Sequence, residues 1–236
     1  MSLVNFFKEI QLVYPDSHDD HDKSSVVAIT SFTHFNDYQV TNNLIGILKE
    51  NSILESSVLY TLDNCFYEII DNVYRHSKGI TDGLTMAQCY KRKNKIKLVV
   101  VDCGRGIHSS LTEPIESKYK HLTEPQALEQ CIKRGVTNGL GGMGNGLYHT
   151  SSFIKYNQGE MVLYSGNFSL NITNDKVSVE EAAFWQGTIL LLNINTNVHV
   201  DYKEFMGINK DLESEYNDAR GKNNIDEDKE EDSFLW

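Results

Sequence analysis

Three short stretches hold the residues best suited to chemistry. Glu68, Asn72, Arg75 and His76 follow one another at intervals of four, three and one. At 100° per residue on a helix they fall within about 100° of one another, so one flank can present acid, amide, cation and imidazole together. Taken alone, the same spacing also describes a solvated helix face. The second stretch is Asp102-Cys103-Gly104-Arg105-Gly106-Ile107, directly after the apolar run Ile96-Lys97-Leu98-Val99-Val100-Val101. A carboxylate at a strand end, followed by glycines that let backbone approach a ligand, suits recognition of a flat heterocycle. A tight turn capped by Asp would read the same way. The third stretch, Gly139-Leu140-Gly141-Gly142-Met143-Gly144-Asn145-Gly146-Leu147, runs into a helix pattern. Free amides and the positive end of a helix dipole make a natural phosphate seat. No Gly-Lys-Ser/Thr closes it as in a Walker loop, and a helix rather than a strand precedes it, unlike a dinucleotide fingerprint.

The elements that must position these groups follow from hydrophobic spacing. Leu59, Leu62, Phe66, Ile69, Ile70 and Val73 recur at three and four residues and predict a helix over 56–76. Val40, Leu44, Ile47 and Leu48 predict another, stopped at Asn51-Ser52. Thr123-Glu124-Pro125-Gln126 is a helix start, with an N-cap, an early acid and an early proline. A further helix is expected over 146–156. Strands are expected at 26–29, 84–90 and 96–101, the last two joined by Lys91-Arg92-Lys93-Asn94-Lys95. Four closing strands are expected at 161–164, 169–172, 176–179 and 188–194, with Asn174-Asp175 as a hairpin turn. The order predicts a two-layer α/β sandwich.

In sequence order the chain offers a helix with Glu-x-x-x-Asn, a strand ending Asp-x-Gly-x-Gly, a Gly-x-Gly-x-Gly-Leu loop and a late Gly187-Thr188. This resembles the GHKL superfamily of Bergerat-fold ATPases, which includes gyrase, heat-shock chaperones, histidine kinases and mismatch-repair proteins. The likeness covers about residues 59–195. It implies a mixed, mostly antiparallel sheet covered on one face by helices, and a site for ATP and Mg2+. Asn72 matches the Mg2+ ligand and Glu68 the acid that orients or deprotonates the attacking water. Arg75 and His76 sit where the family places phosphate-facing groups. Asp102 matches the acceptor of the adenine amino group, with Gly104 and Gly106 passing the base and Thr188 reaching it from a later strand. Gly142, Gly144 and Gly146, with Leu147, match the lid around the triphosphate, which would run over about 109–144.

The domain plan is an extension at 1–24, the nucleotide module at 25–200 and an acidic tail at 201–236. His18-Asp19 and His21-Asp22 match only the dipeptide of a phospho-accepting histidine and lack an amphipathic helix around them. The mostly acidic residues after the Thr188 strand are not expected to form a second domain that delivers a cation to a γ-phosphate. The expected function is therefore a stand-alone ATP·Mg-binding module, a slow ATPase or nucleotide switch acting on a partner protein. The alternatives are a kinase of anti-sigma or histidine-kinase type, and an interaction protein with a degenerate nucleotide site. The resemblance leaves a homodimer open.

Composition narrows the setting. The chain of 236 residues has 22 basic and 33 acidic residues and a formal charge of -11. Residues 211–236 carry ten acids and three bases, so -7 lies there and -4 in the rest. A nucleic-acid face, which needs clustered Lys and Arg, is disfavoured. No apolar run approaches the ~18 residues that span a bilayer, and residues 1–8 lack the order of a secretory signal. Cys65, Cys89, Cys103 and Cys131 are isolated, which suggests neither a zinc site nor a disulfide framework and fits a reduced, cytoplasmic protein.

Overall fold

The structure, a computed structural model, describes residues 26–33, 37–77, 83–137 and 144–206. Outside them lie residues 1–25 with His18 and His21, the stretch 138–143 with Gly142, and residues 207–236. The side chains of Arg75 and His76 also lie outside, although their backbone continues a helix.

Among the described residues, five strands form one antiparallel sheet: β1 (Val26–Phe32), β2 (Gly83–Tyr90), β3 (Lys95–Asp102), β4 (Glu160–Thr173) and β5 (Lys176–Asn195), in the spatial order β1-β2-β3-β5-β4. Register aligns one face across the central strands. Ala87 opposes Leu98, which opposes Leu192, which opposes Met161. All four are essentially inaccessible. Against this face pack α1 (Asp37–Asn51), α2 (Ser56–Ser77), α3 (Gly106–Thr112), α4 (Glu124–Cys131) and α5 (Gly146–Tyr156). The result is the two-layer α/β sandwich expected from the pattern. On the opposite face Leu84, Met86, Val99, Val101, Ile189 and Leu191 retain partial or full exposure.

Helix α2 is the longest, at 22 residues, and its stripe is as expected: Leu62, Phe66, Ile69, Ile70 and Val73 are buried, joined by Val58 and Cys65. Helix α4 starts with a capping box, in which the Thr123 amide donates to Gln126 Oε1 at 2.9 Å. The basic turn between β2 and β3 is a short 3-10 turn over Lys91–Lys93 closed by Asn94 in the left-handed region. Asn174 and Asp175, both at positive φ, close the β4–β5 hairpin.

Three expectations change. The four closing strands are two long ones, β4 and β5, because the hairpin continues through bulges near Gly166 where apolar alternation is lost. The folded body does not end at 200. Val200 is buried, and α6 (Tyr202–Met206) lays Phe205 against Phe153 and His149. The segment expected to be a lid from 109 is anchored to the body at several points. Ser110, Leu111, Tyr119, Ala127, Leu128 and Cys131 are buried, and the α3 helix overlapping its start has no counterpart among the expected elements.

Candidate functional site

Between α2, the end of β3, and the α3 and α5 helices lies a cleft of about 1030 Å3, counting the part open to solvent. Helix α2 contributes Glu68, Asp71 and Asn72, β3 contributes Asp102, and β5 contributes Thr188. Gly106 and Gly144 line it as well, and Ile107, Leu111, Leu147 and Leu163 supply apolar wall. Eight of the positions singled out by sequence therefore meet around it: seven line it, and Gly146 bonds to one of them. Its lining holds three carboxylates and, among the described residues, no lysine or arginine.

Asp102 is 7% exposed and stands at the last position of β3, where the strand order of the sheet places it opposite Thr188 of β5. Its Oδ1 accepts the Gly104 amide at 2.7 Å, and Thr188 donates from both side chain and backbone. Burial nevertheless dominates and raises its pKa above the ordinary carboxylate value, with these hydrogen bonds opposing the rise. The site holds the carboxyl at a cost in solvation and aims it into a cavity, a common sign of function over stability.

Around Asp102 the backbone is tightly keyed. The Ile107 amide donates to Ser165 Oγ at 2.9 Å, and that hydroxyl donates to the Gly187 carbonyl at 2.7 Å. Gly187 has φ of 104°, and a Cβ there would lie 2.2 Å from the Asp102 carbonyl oxygen. Trp185 Nε1 donates to that same oxygen at 3.1 Å. Ser165, Trp185 and this role of Gly187 escape a reading of the sequence. They are 22 to 85 residues from their partners, and only the β3–β5 and β4–β5 pairings bring them together.

Glu68 sits differently. Its Oε2 accepts the amides of Gly146 at 2.6 Å and Asn145 at 3.3 Å, so the carboxylate closes the first turn of α5. Two otherwise orphaned donors at a helix N-terminus are thereby satisfied by charge. Gly146 must be small here, since a Cβ would lie 2.9 Å from Glu68 Cβ. Gly144, with φ of 65°, passes close under the Val136 carbonyl, which a Cβ would approach to 2.4 Å.

Gly104 is buried behind Asp102 as a hydrogen-bond donor and does not line the cleft. Cys103, one residue after Asp102, is exposed and also outside the lining. No group of three or more His, Cys, Asp or Glu among the described residues could hold a metal ion. No helix among them is long and apolar enough to cross a membrane.

Compared with protein-family models, curated proteins and solved structures, the chain finds no match in any of the three.

Proposed function

We propose that the chain is an ATP·Mg-binding module of GHKL type, acting as a nucleotide-dependent switch on a partner protein with slow hydrolysis at most. The observation that carries this reading is the convergence on one cleft of Asp102 with Thr188, Asn72 with Glu68, and Gly106 with Gly144. These come from separate sequence regions, in an order that the resemblance ties to base, metal and phosphate.

The residues present fit the ligand chemically. A flat base is suited by a buried carboxylate acceptor between apolar walls, and an amide donor set lies within reach on the Gly144–Leu147 side. Asn72 would hold Mg2+ as a neutral oxygen ligand, and the remaining ligands would be phosphate oxygens and water. The carboxylates on the helix side call for the cation: without it a polyphosphate would face Glu68 and Asp71 with no described lysine or arginine in the lining. Bound Mg2+ supplies charge neutralisation of the phosphates. Asp102 orients the base, Asn72 fixes the metal side, and the Gly144 turn lets backbone approach.

The position of Glu68 favours the switch over rapid turnover. Its carboxylate is engaged by the Gly146 and Asn145 amides, so it must leave them before it can orient water. Phosphate oxygens are competent substitutes at the same amides. Nucleotide binding and the start of α5 would then be coupled through one side chain.

Calorimetry with ATP decides the matter. Saturable binding is expected with Mg2+ and a loss of at least about tenfold in affinity when the metal is chelated. No saturable heat with Mg2+ present would overturn the reading.

A further inference from the structure

Away from the cleft, a second and broader groove of about 1550 Å3, open to solvent, runs between the end of α4, α5 and the turn of the β4–β5 hairpin. Its cations are Lys133 and Arg134 just after α4 and Lys155 on α5, set against the acids Glu129 and Asp175. None of the three cations makes an ion pair within the described structure; Lys133 only reaches the amide oxygen of Gln130 at 3.0 Å. Tyr148 and Tyr156 supply aromatic wall. Three cations without an ion pair among the described residues, beside aromatic surface, suit an acidic peptide.

The chain itself carries such a sequence, and its last described helix ends beside this place. Helix α6 is fastened to α5, with Ser152 Oγ donating to the Phe205 carbonyl at 3.1 Å and the Phe205 ring against Phe153. Ser152 lines the groove and lies three residues, about one turn, from Lys155. The described chain thus leaves at Met206 beside the groove. Only Gly207-Ile208-Asn209-Lys210 intervene before an acidic segment opens with Asp211, Glu213, Glu215 and Asp218 and continues as Asp226-Glu227-Asp228-Lys229-Glu230-Glu231-Asp232. Four extended residues reach about 14 Å, and the acids beyond them extend that range further.

We propose that residues 211–232 dock, within the same molecule, in the groove lined by Lys133, Arg134 and Lys155. Tethering makes the encounter intramolecular, so weak individual ion pairs suffice. The docking needs no nucleotide and stands independently of the reading above. Its location has a consequence, since Lys133 and Arg134 lead straight into Val136 and Thr137, which line the cleft.

Zero-length carbodiimide coupling of the full chain, read by peptide mass spectrometry, tests this. The expected products are monomers in which Lys133 or Lys155 is joined to a carboxylate within 211–232. Their yield should fall at least about tenfold near 1 M salt, where the Debye length is about 3 Å. The Arg134→Glu chain, which keeps both reporting amines and is checked for an unchanged melting temperature, should lose at least about threefold of this coupling, and an unchanged yield would count against docking in this groove. If that chain misfolds, the salt series on the unaltered chain still decides. Coupling mainly to Lys91, Lys93, Lys95 or Lys97, coupling found only in dimers, coupling insensitive to salt, or none to 211–232 would each overturn the proposal.

Discussion

The two ends of the cleft are built on opposite principles. At the strand end, Asp102 is held by hydrogen bonds from Gly104, Thr188 and Trp185, and Ser165 ties the neighbouring Ile107 amide to the Gly187 carbonyl. At the helix end, the donors that could serve a ligand are the Asn145 and Gly146 amides, and they are held by a carboxylate from α2. The first arrangement is preorganised, and a ligand meets it as found. The second is satisfied internally and would have to exchange one anion for another to take a phosphate. Rigidity at one end and exchange at the other would suit the proposed switch.

The largest effect should come from disturbing the rigid end. Gly187→Ala places a methyl group 2.2 Å from the Asp102 carbonyl oxygen at a φ of 104°, and should cost about 3 kcal/mol or more in urea unfolding. A variant of near-native stability would show that the β3–β5 junction yields after all. Next, Asp102→Asn should weaken ATP about tenfold to hundredfold while leaving the melting temperature equal or higher, because burial already disfavours the charged form. Unchanged affinity would remove Asp102 from base recognition. At the exchanging end, Glu68→Ala should cost about 1 kcal/mol of stability through the lost charge at the start of α5. It should keep nucleotide binding and lose whatever hydrolysis exists; unchanged turnover would exclude Glu68 as the acid involved.

The smallest effect concerns pH. His149, on α5 beside Phe205, has its pKa lowered from 6.5 by burial first and by Arg134 second, with Glu68 opposing. The folded state therefore binds this proton less readily than the unfolded chain does. The contribution is fully present above about pH 6.5 and is lost as pH falls below it toward the lowered value. Melting temperatures should drop modestly between about pH 7 and pH 5, and His149→Gln should flatten that part of the profile. An identical slope in the variant would assign it elsewhere.

Much of this architecture is legible in the sequence alone. The α2 stripe, the buried β3 run and the Thr123 cap are local patterns, and local patterns survive in a sequence. The convergence of Glu68, Asn72, Asp102 and Thr188 is legible only as an order of motifs. The clasp of Ser165, Gly187 and Trp185 is not, since a serine in a strand announces nothing until register places it under Ile107. Helix α3 escapes because seven residues beginning with Gly106 carry too little periodicity. The β4–β5 arm reads as separate pieces because its exposed half, with Phe184 at 67% and Val177 at 42%, lacks the alternation that a buried face imposes.

The cysteines have a practical consequence. Burial pushes the thiols of Cys65 and Cys131 up to about 12 and raises that of Cys89, whereas Cys103 is exposed, one residue beyond Asp102. A thiolate is the reacting species, so a maleimide dye on the unaltered chain should settle on one position. The exposed thiol one residue beyond Asp102 thus offers a native attachment point for an optical probe, without introducing a foreign residue.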